Sequence, residues 1–199
     1  MNRSEFERLL SELLSYAVKK PELAAHALVT KYKDMTTLAS ADGDELASTE
    51  HVGVAGAHLL RLTFALRSRR ITDKYPMGRQ YTEAEFREYL TALFFDSPNE
   101  TVCAFFIDDR GRVAFSELLG EGTVNSMTVL PRKVLELSVK RGCRRIILAH
   151  NHPGGEAIAS DEDIVATDHI AHLLSAAQRE LVAHYVVAGN EVSKIIPKV

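Results

Sequence analysis

The sequence predicts an α+β protein: a mixed β-sheet flanked by helices, behind a small all-helical domain. Three observations carry this. Residues 1–70 show only helical periodicity of their apolar positions. Beyond residue 100, apolar runs of strand length alternate with amphipathic helical stretches, without a strict βαβ repeat. Between them, residues 71–81 (ITDKYPMGRQY) hold Pro76 and Gly78 and show no period. The predicted organisation is a helical domain over 1–72, a linker over 73–81 and a second domain over 82–199.

Taken in order, Phe6, Leu9, Leu10, Leu13, Leu14 and Ala17 form one apolar face of a helix over 2–18, with Ser4 and Glu7 spaced as a capping box. Pro21 opens a second helix, over 21–32. Met35 to Ala47 gives two short helices around a turn at Ala41-Asp42-Gly43-Asp44, and a long helix then runs to Arg70. Thr82 with Glu85 opens the next helix. Thr101–Ile107 and Arg112–Leu119 are strands joined by an Asp108-Asp109-Arg110-Gly111 turn, with a short strand expected near 124–129. Pro131 marks a helix start and Gly142 its end. Arg144–Ala149 is a buried strand. A helix from Asp161 to about Glu180 leads to strands at Leu181–Val187 and Val192–Ile195.

At 199 residues the chain can bury one medium core and one small one. A net charge of -3 excludes a wholly basic nucleic-acid binder but leaves room for a local basic patch. Cys103 and Cys143 sit in apolar runs without CxxC spacing, as reduced core thiols do. No apolar run approaches a membrane span and the first residues lack a secretory h-region, so a cytoplasmic protein is expected.

Two stretches carry chemistry. The first, residues 50–62, sets a glycine-containing hairpin before the long helix and resembles a helix-hairpin-helix unit. Such a hairpin offers backbone N–H groups to a DNA phosphate. Gly53, Arg61, Arg67, Arg69 and Arg70 are the candidate DNA contacts. Two features oppose them: Gly53-Val54-Ala55 lacks the motif's second glycine, and residues 1–70 balance ten Lys/Arg against nine Asp/Glu. A small bundle used for protein contacts fits the same residues.

The second is Ile146-Ile147-Leu148-Ala149-His150-Asn151-His152-Pro153. Side chains two apart on a strand share a face, so His150 and His152 point together. Asp163 falls in the first turn of the following helix and can turn back toward them. Two imidazoles and a carboxylate form a zinc ligand set, and three protein ligands leave a fourth position for water, as in catalytic sites. His-x-His alone is weak, and Ser160-x-x-Asp163 is also a capping box. Their joint spacing is the strong signal.

The pattern His150-x-His152-Pro153, six residues, Ser160-x-x-Asp163 resembles the signature of the JAMM (MPN+) metalloproteases. Asn151 and Gly155 resemble the RadC-like bacterial branch, as do Gly122-Thr123-Val124-Asn125-Ser126, Pro131-Arg132 and residues 183–189. The likeness covers roughly 82–196. It implies a cytidine-deaminase-like JAMM/MPN fold and one zinc ion per chain on His150, His152 and Asp163. It also implies a serine, Ser160, that helps hold water or polarise the substrate carbonyl, and an upstream glutamate as general base. Glu100, directly before the first strand, is favoured on topology, with Glu117 as the alternative. The loop departs from the family's Pro-Ser-Gly, reading Pro153-Gly154-Gly155, and Ala183 replaces a usual acidic residue. His169, His172 and His184 match no ligand position.

The leading expectation is a zinc metallopeptidase acting on a peptide or protein substrate. A DNA-associated accessory protein, matching the family's DNA-repair label, is the alternative. A protein-recognition module is the third reading.

Overall fold

A computed structural model describes residues 3–121 and 129–198. The helical part comprises α1 (Arg3–Leu14), α2 (Pro21–Lys31), α3 (Met35–Ala39), α4 (Gly43–Ala47) and α5 (Gly53–Lys74). Leu10, Leu14, Leu28, Leu38, Leu46 and Leu60 meet in one core. Asp34 and Asp42 cap α3 and α4 by accepting from the backbone N–H groups of Thr37 and Glu45. Two expectations need correction. Ser4 lies inside α1 and is not its cap, because the helix already includes Arg3. The long helix passes Arg70 to Lys74, since nothing between them breaks it before Pro76.

α6 (Glu83–Leu93) opens with the reciprocal Thr82–Glu85 capping box. The sheet has the order β2-β1-β3-β4-β5: β1 (Thr101–Ile107), β2 (Val113–Glu121), β3 (Arg145–Asn151), β4 (Glu180–Ala188) and β5 (Glu191–Ile195). β3 is central, antiparallel to β1 and parallel to β4. The β3–β4 connection runs through α8 (Asp161–Ala176), while α7 (Val129–Arg141) precedes β3. It is a mixed sheet with helices on both faces. The strand expected near 124–129 falls mainly on 122–128, outside the described residues, as does the Gly122–Ser126 stretch; Val129 begins α7.

Alternation sorts the strand residues between two cores. Cys103, Phe105, Ala149, Ala183 and Tyr185 pack toward α6 with Phe86 and Tyr89. Ala104, Phe106, Ile146 and Leu148 pack toward α7 and α8 with Val134, Ile170 and Leu174. Both cysteines are free and buried, as expected, and burial pushes the Cys103 thiol up to about 12. β3 continues past Ala149 to Asn151 because it has pairing partners on both sides. α8 stops at Ala176, short of Glu180, where Gln178 turns the chain at φ +58°.

The segment between α6 and β1 joins the two cores. Phe94 belongs to the sheet core, and Phe95 to the helical core, edge-on to Phe64 at 5.9 Å. Within 73–81, Tyr75 is 2% exposed with Met77 and Tyr81 against the same core, and Arg79 bridges to Val113, while Asp73, Lys74, Pro76, Gly78 and Gln80 are exposed. No helix among the described residues is long and apolar enough to cross a membrane.

Candidate metal centre

β3 and α8 bring three side chains to one point. His150 Nε2 lies 2.9 Å from His152 Nε2 and 3.3 Å from Asp163 Oδ1, and His152 Nε2 lies 3.5 Å from Asp163 Oδ2. Zinc with bonds of 2.0–2.1 Å in a tetrahedron holds its donors about 3.3–3.4 Å apart, so the observed spacings bracket that edge. His150, His152 and Asp163 form the candidate metal-holding group among the described residues.

The remaining atoms of these side chains are engaged elsewhere. His152 Nδ1 faces the Glu156 carbonyl at 3.1 Å. A carbonyl only accepts, so Nδ1 carries the hydrogen and Nε2 presents its lone pair. Gly155 N–H donates to the His152 carbonyl at 3.2 Å, closing the turn that steadies this ring. Asp163 divides its oxygens. Oδ2 accepts from Ser160 N and Oγ at 2.8 and 2.7 Å, while Ser160 Oγ accepts from Asp163 N at 3.0 Å. The capping box thus uses Oδ2, the oxygen nearer His152, while Oδ1 faces His150 without a capping partner.

His150 is 2% exposed, and its Nδ1 lies 2.9 Å from His184 Nε2. His184 Nδ1 lies 2.7 Å from Thr167 Oγ1, which donates to the Asp163 carbonyl at 2.6 Å. Burial pushes His184 down to about 3, so this ring is neutral. Sequence spacing missed His184 because its partners come from β3 and α8. His169 and His172 are exposed on α8, away from this chain of contacts.

The two glutamates stand differently. β1 pairs Val102 with His150 and starts at Thr101, so Glu100 directly precedes β1 at the end of the sheet where His152 follows β3. Asn151, 3% exposed, accepts from Thr101 N–H at 2.8 Å and donates to the Asn99 carbonyl at 3.2 Å, so it holds the backbone on both sides of Glu100. Glu117 lies opposite Ala104 on β2, an edge strand separated from β3 by β1. That is about 10 Å across two strand spacings.

The candidate DNA contacts all lie on α5, in different surroundings. Gly53 begins α5 at φ +59°. Arg61 donates to the carbonyls of Ala39, Ala41 and Asp96. Arg67 lies over the Phe95 ring at 3.8 Å, Arg69 pairs with Asp73, and Arg70 is exposed.

Comparison with known proteins follows the geometry. The RadC-like JAB domain model matches residues 81–195. A UPF0758 protein of Photobacterium profundum is 30% identical over 86% of this chain and 76% of its own length. One of Aliivibrio fischeri is 30% identical over 84% and 75%. A third, of Legionella pneumophila, is 39% identical over 100 residues, half of this chain and 44% of the relative.

Proposed function

This chain belongs to the RadC-like JAB domain family, and from that premise we propose that it is a zinc-dependent hydrolase of peptide or isopeptide bonds. The carrying observation is that His150 Nε2, His152 Nε2 and the Asp163 carboxylate converge while the far ring nitrogens of both histidines are engaged elsewhere. Acceptor atoms this close repel unless a cation or a proton lies among them. The donor types and their spacing fit zinc. When bound there, zinc supplies Lewis-acid polarisation and lowers the pKa of water to about 7.

The chain's own residues would do the rest. Glu100, just ahead of β1 and held at its flanks by Asn151, takes the proton of the attacking water and returns it to the leaving amine. Glu117, two strands from β3, is the less favoured base. Ser160 orients the Asp163 carboxylate through its N–H and hydroxyl. It stabilises a substrate oxyanion only by turning its hydroxyl hydrogen away from Asp163.

The test is metal content with activity. Full-length protein is expected to hold one zinc per chain, to lose it in His150→Ala and His152→Ala, and to cleave a peptide or isopeptide-linked substrate. Protein that takes up no stoichiometric zinc would overturn the reading.

A second reading, DNA contact through the helical part, has one observation behind it. α5 starts at Gly53 without a side-chain cap, leaving N–H groups of its first turn available for a phosphate. The contacts of Arg61, Arg67 and Arg69 within the protein weaken it. Binding to duplex DNA that falls with salt and with Arg70→Ala would support it; no binding at low salt would remove it.

A further inference from the structure

We propose that Thr167 and His184 are positioning residues that lock His150 into the one tautomer able to ligate a metal. The inference rests on the zinc reading above, but the hydrogen-bond chain behind it stands on its own geometry. It starts at a backbone oxygen. The Asp163 carbonyl can only accept, and Thr167 Oγ1 lies 2.6 Å from it. A hydroxyl has one hydrogen, so that hydrogen goes to Asp163. Thr167 Oγ1 must then accept at its other close contact, His184 Nδ1 at 2.7 Å.

His184 Nδ1 therefore carries the ring's proton, and neutral His184 presents a lone pair at Nε2. That lone pair faces His150 Nδ1 at 2.9 Å, so His150 Nδ1 must be the donor. With its hydrogen at Nδ1, His150 leaves Nε2 to present a lone pair toward His152 and Asp163, as a ligating imidazole must. Each link is forced by the one before it, and solvent cannot substitute: Thr167, His184 and His150 are 0%, 5% and 2% exposed. The bland alternative is a threonine bonding back to the carbonyl four residues earlier, beside a packed histidine. It accounts for the 2.6 Å contact but assigns no consequence to the other two.

The chain also explains why one helix turn suffices. The first turn of α8 supplies the Asp163 carboxylate, and the same residue's backbone oxygen sets the polarity of the wire that orients His150. A neighbour that fixes the far nitrogen of a ligating histidine typically changes metal affinity by about 10- to 100-fold.

The experiment uses full-length protein. Long-range 1H–15N spectra of the metal-free form read the His184 tautomer directly. Competition with a chromophoric chelator reads zinc affinity, and the visible spectrum of the cobalt(II)-substituted protein reads ligand geometry. His184 is expected with its hydrogen on Nδ1. Thr167→Val keeps the shape and removes the hydroxyl. It is expected to weaken zinc by about 10- to 100-fold and to alter the cobalt spectrum, with Thr167→Ser restoring both. Finding His184 protonated at Nε2 in the native protein overturns the proposal, as does native zinc affinity in a folded Thr167→Val. If Thr167→Val fails to fold, the native tautomer and Thr167→Ser still decide. If the native protein binds no zinc, the hydrolase reading fails, while the tautomer measurement still judges the relay.

Discussion

Asn151 Oδ1 accepts from the Thr101 backbone N–H at 2.8 Å, tying the residue between the two histidines to the start of β1. The same amide donates to the Asn99 carbonyl, so Glu100 is bracketed from the strand that carries the metal ligands. Asn151→Ala should leave zinc stoichiometry intact while lowering kcat by roughly 10- to 100-fold, because displacing a reacting group by about 1 Å has that cost. It should also lower stability by about 1–3 kcal/mol, since two backbone groups lose their partner. Full kcat at full zinc loading would show that the bracket has no bearing on Glu100.

The base itself is separable by paired substitutions. Glu100→Gln should reduce kcat by about 10²–10⁴-fold with zinc retained, the usual range for loss of a general base. Glu117→Gln, on an edge strand two spacings from β3, should remain near the native rate. The reverse pattern would move the base to β2.

Glu83 gives a pH signature away from the metal. It accepts from Tyr185 Oη at 2.8 Å, Arg87 Nε at 3.0 Å and Lys194 Nζ at 3.3 Å, linking α6 to β4 and β5. Burial pushes its carboxyl up, but these donors outweigh it and hold it below the ordinary glutamate value of 4.5. A carboxylate depressed in the folded state binds its proton more readily when unfolded. Its stabilisation is present above pH 4.5 and fades as the pH falls through the lower folded value. Urea midpoints between pH 6 and pH 3 should therefore fall more steeply for the native protein than for Glu83→Gln. Parallel curves would show that Glu83 contributes no linkage.

Much of this site is written locally. His150-x-His152 shares a face through strand alternation, and Asp163 follows at a helix start marked by Ser160. β1 is legible end to end because Thr101–Ile107 is an unbroken apolar run between Glu100 and Asp108. What was illegible depends on pairing between distant segments. His184 meets His150 across 34 residues, and Asn151 meets Asn99 across 52. The arginines of α5 look like one basic cluster in sequence, yet three of them are claimed by different partners in the fold.

Gly189 shows how closely the helical part is seated on the sheet. It turns the chain between β4 and β5 at φ +61°, and an added Cβ would lie 2.8 Å from Thr36 Cγ2. Gly189→Ala should destabilise by about 1–3 kcal/mol from overpacking, plus about 1–2 kcal/mol for the left-handed backbone. Adding Thr36→Ala removes the clashing atoms and should recover the first part but not the second. Equal losses with and without Thr36→Ala, read as urea midpoints at constant m, would mean the two segments do not meet.

Arg61 separates a structural from a nucleic-acid role for the basic residues of α5. Its guanidinium donates to Ala39 O at 2.9 Å, Ala41 O at 3.4 Å and Asp96 O at 3.0 Å, joining the α3–α4 connection to the segment ahead of β1. Arg61→Met keeps the apolar stem and removes the donors. It should lower stability by about 1.5–3 kcal/mol, the range for hydrogen bonds to a charged group. Arg70→Ala, at an exposed position, should change stability by no more than about 0.5 kcal/mol. If the helical part does contact DNA, Arg70→Ala should instead reduce the dependence of binding on salt by about one counterion. Native stability in Arg61→Met would mean that these carbonyls do not need it, and would return Arg61 to the set of residues available to a phosphate.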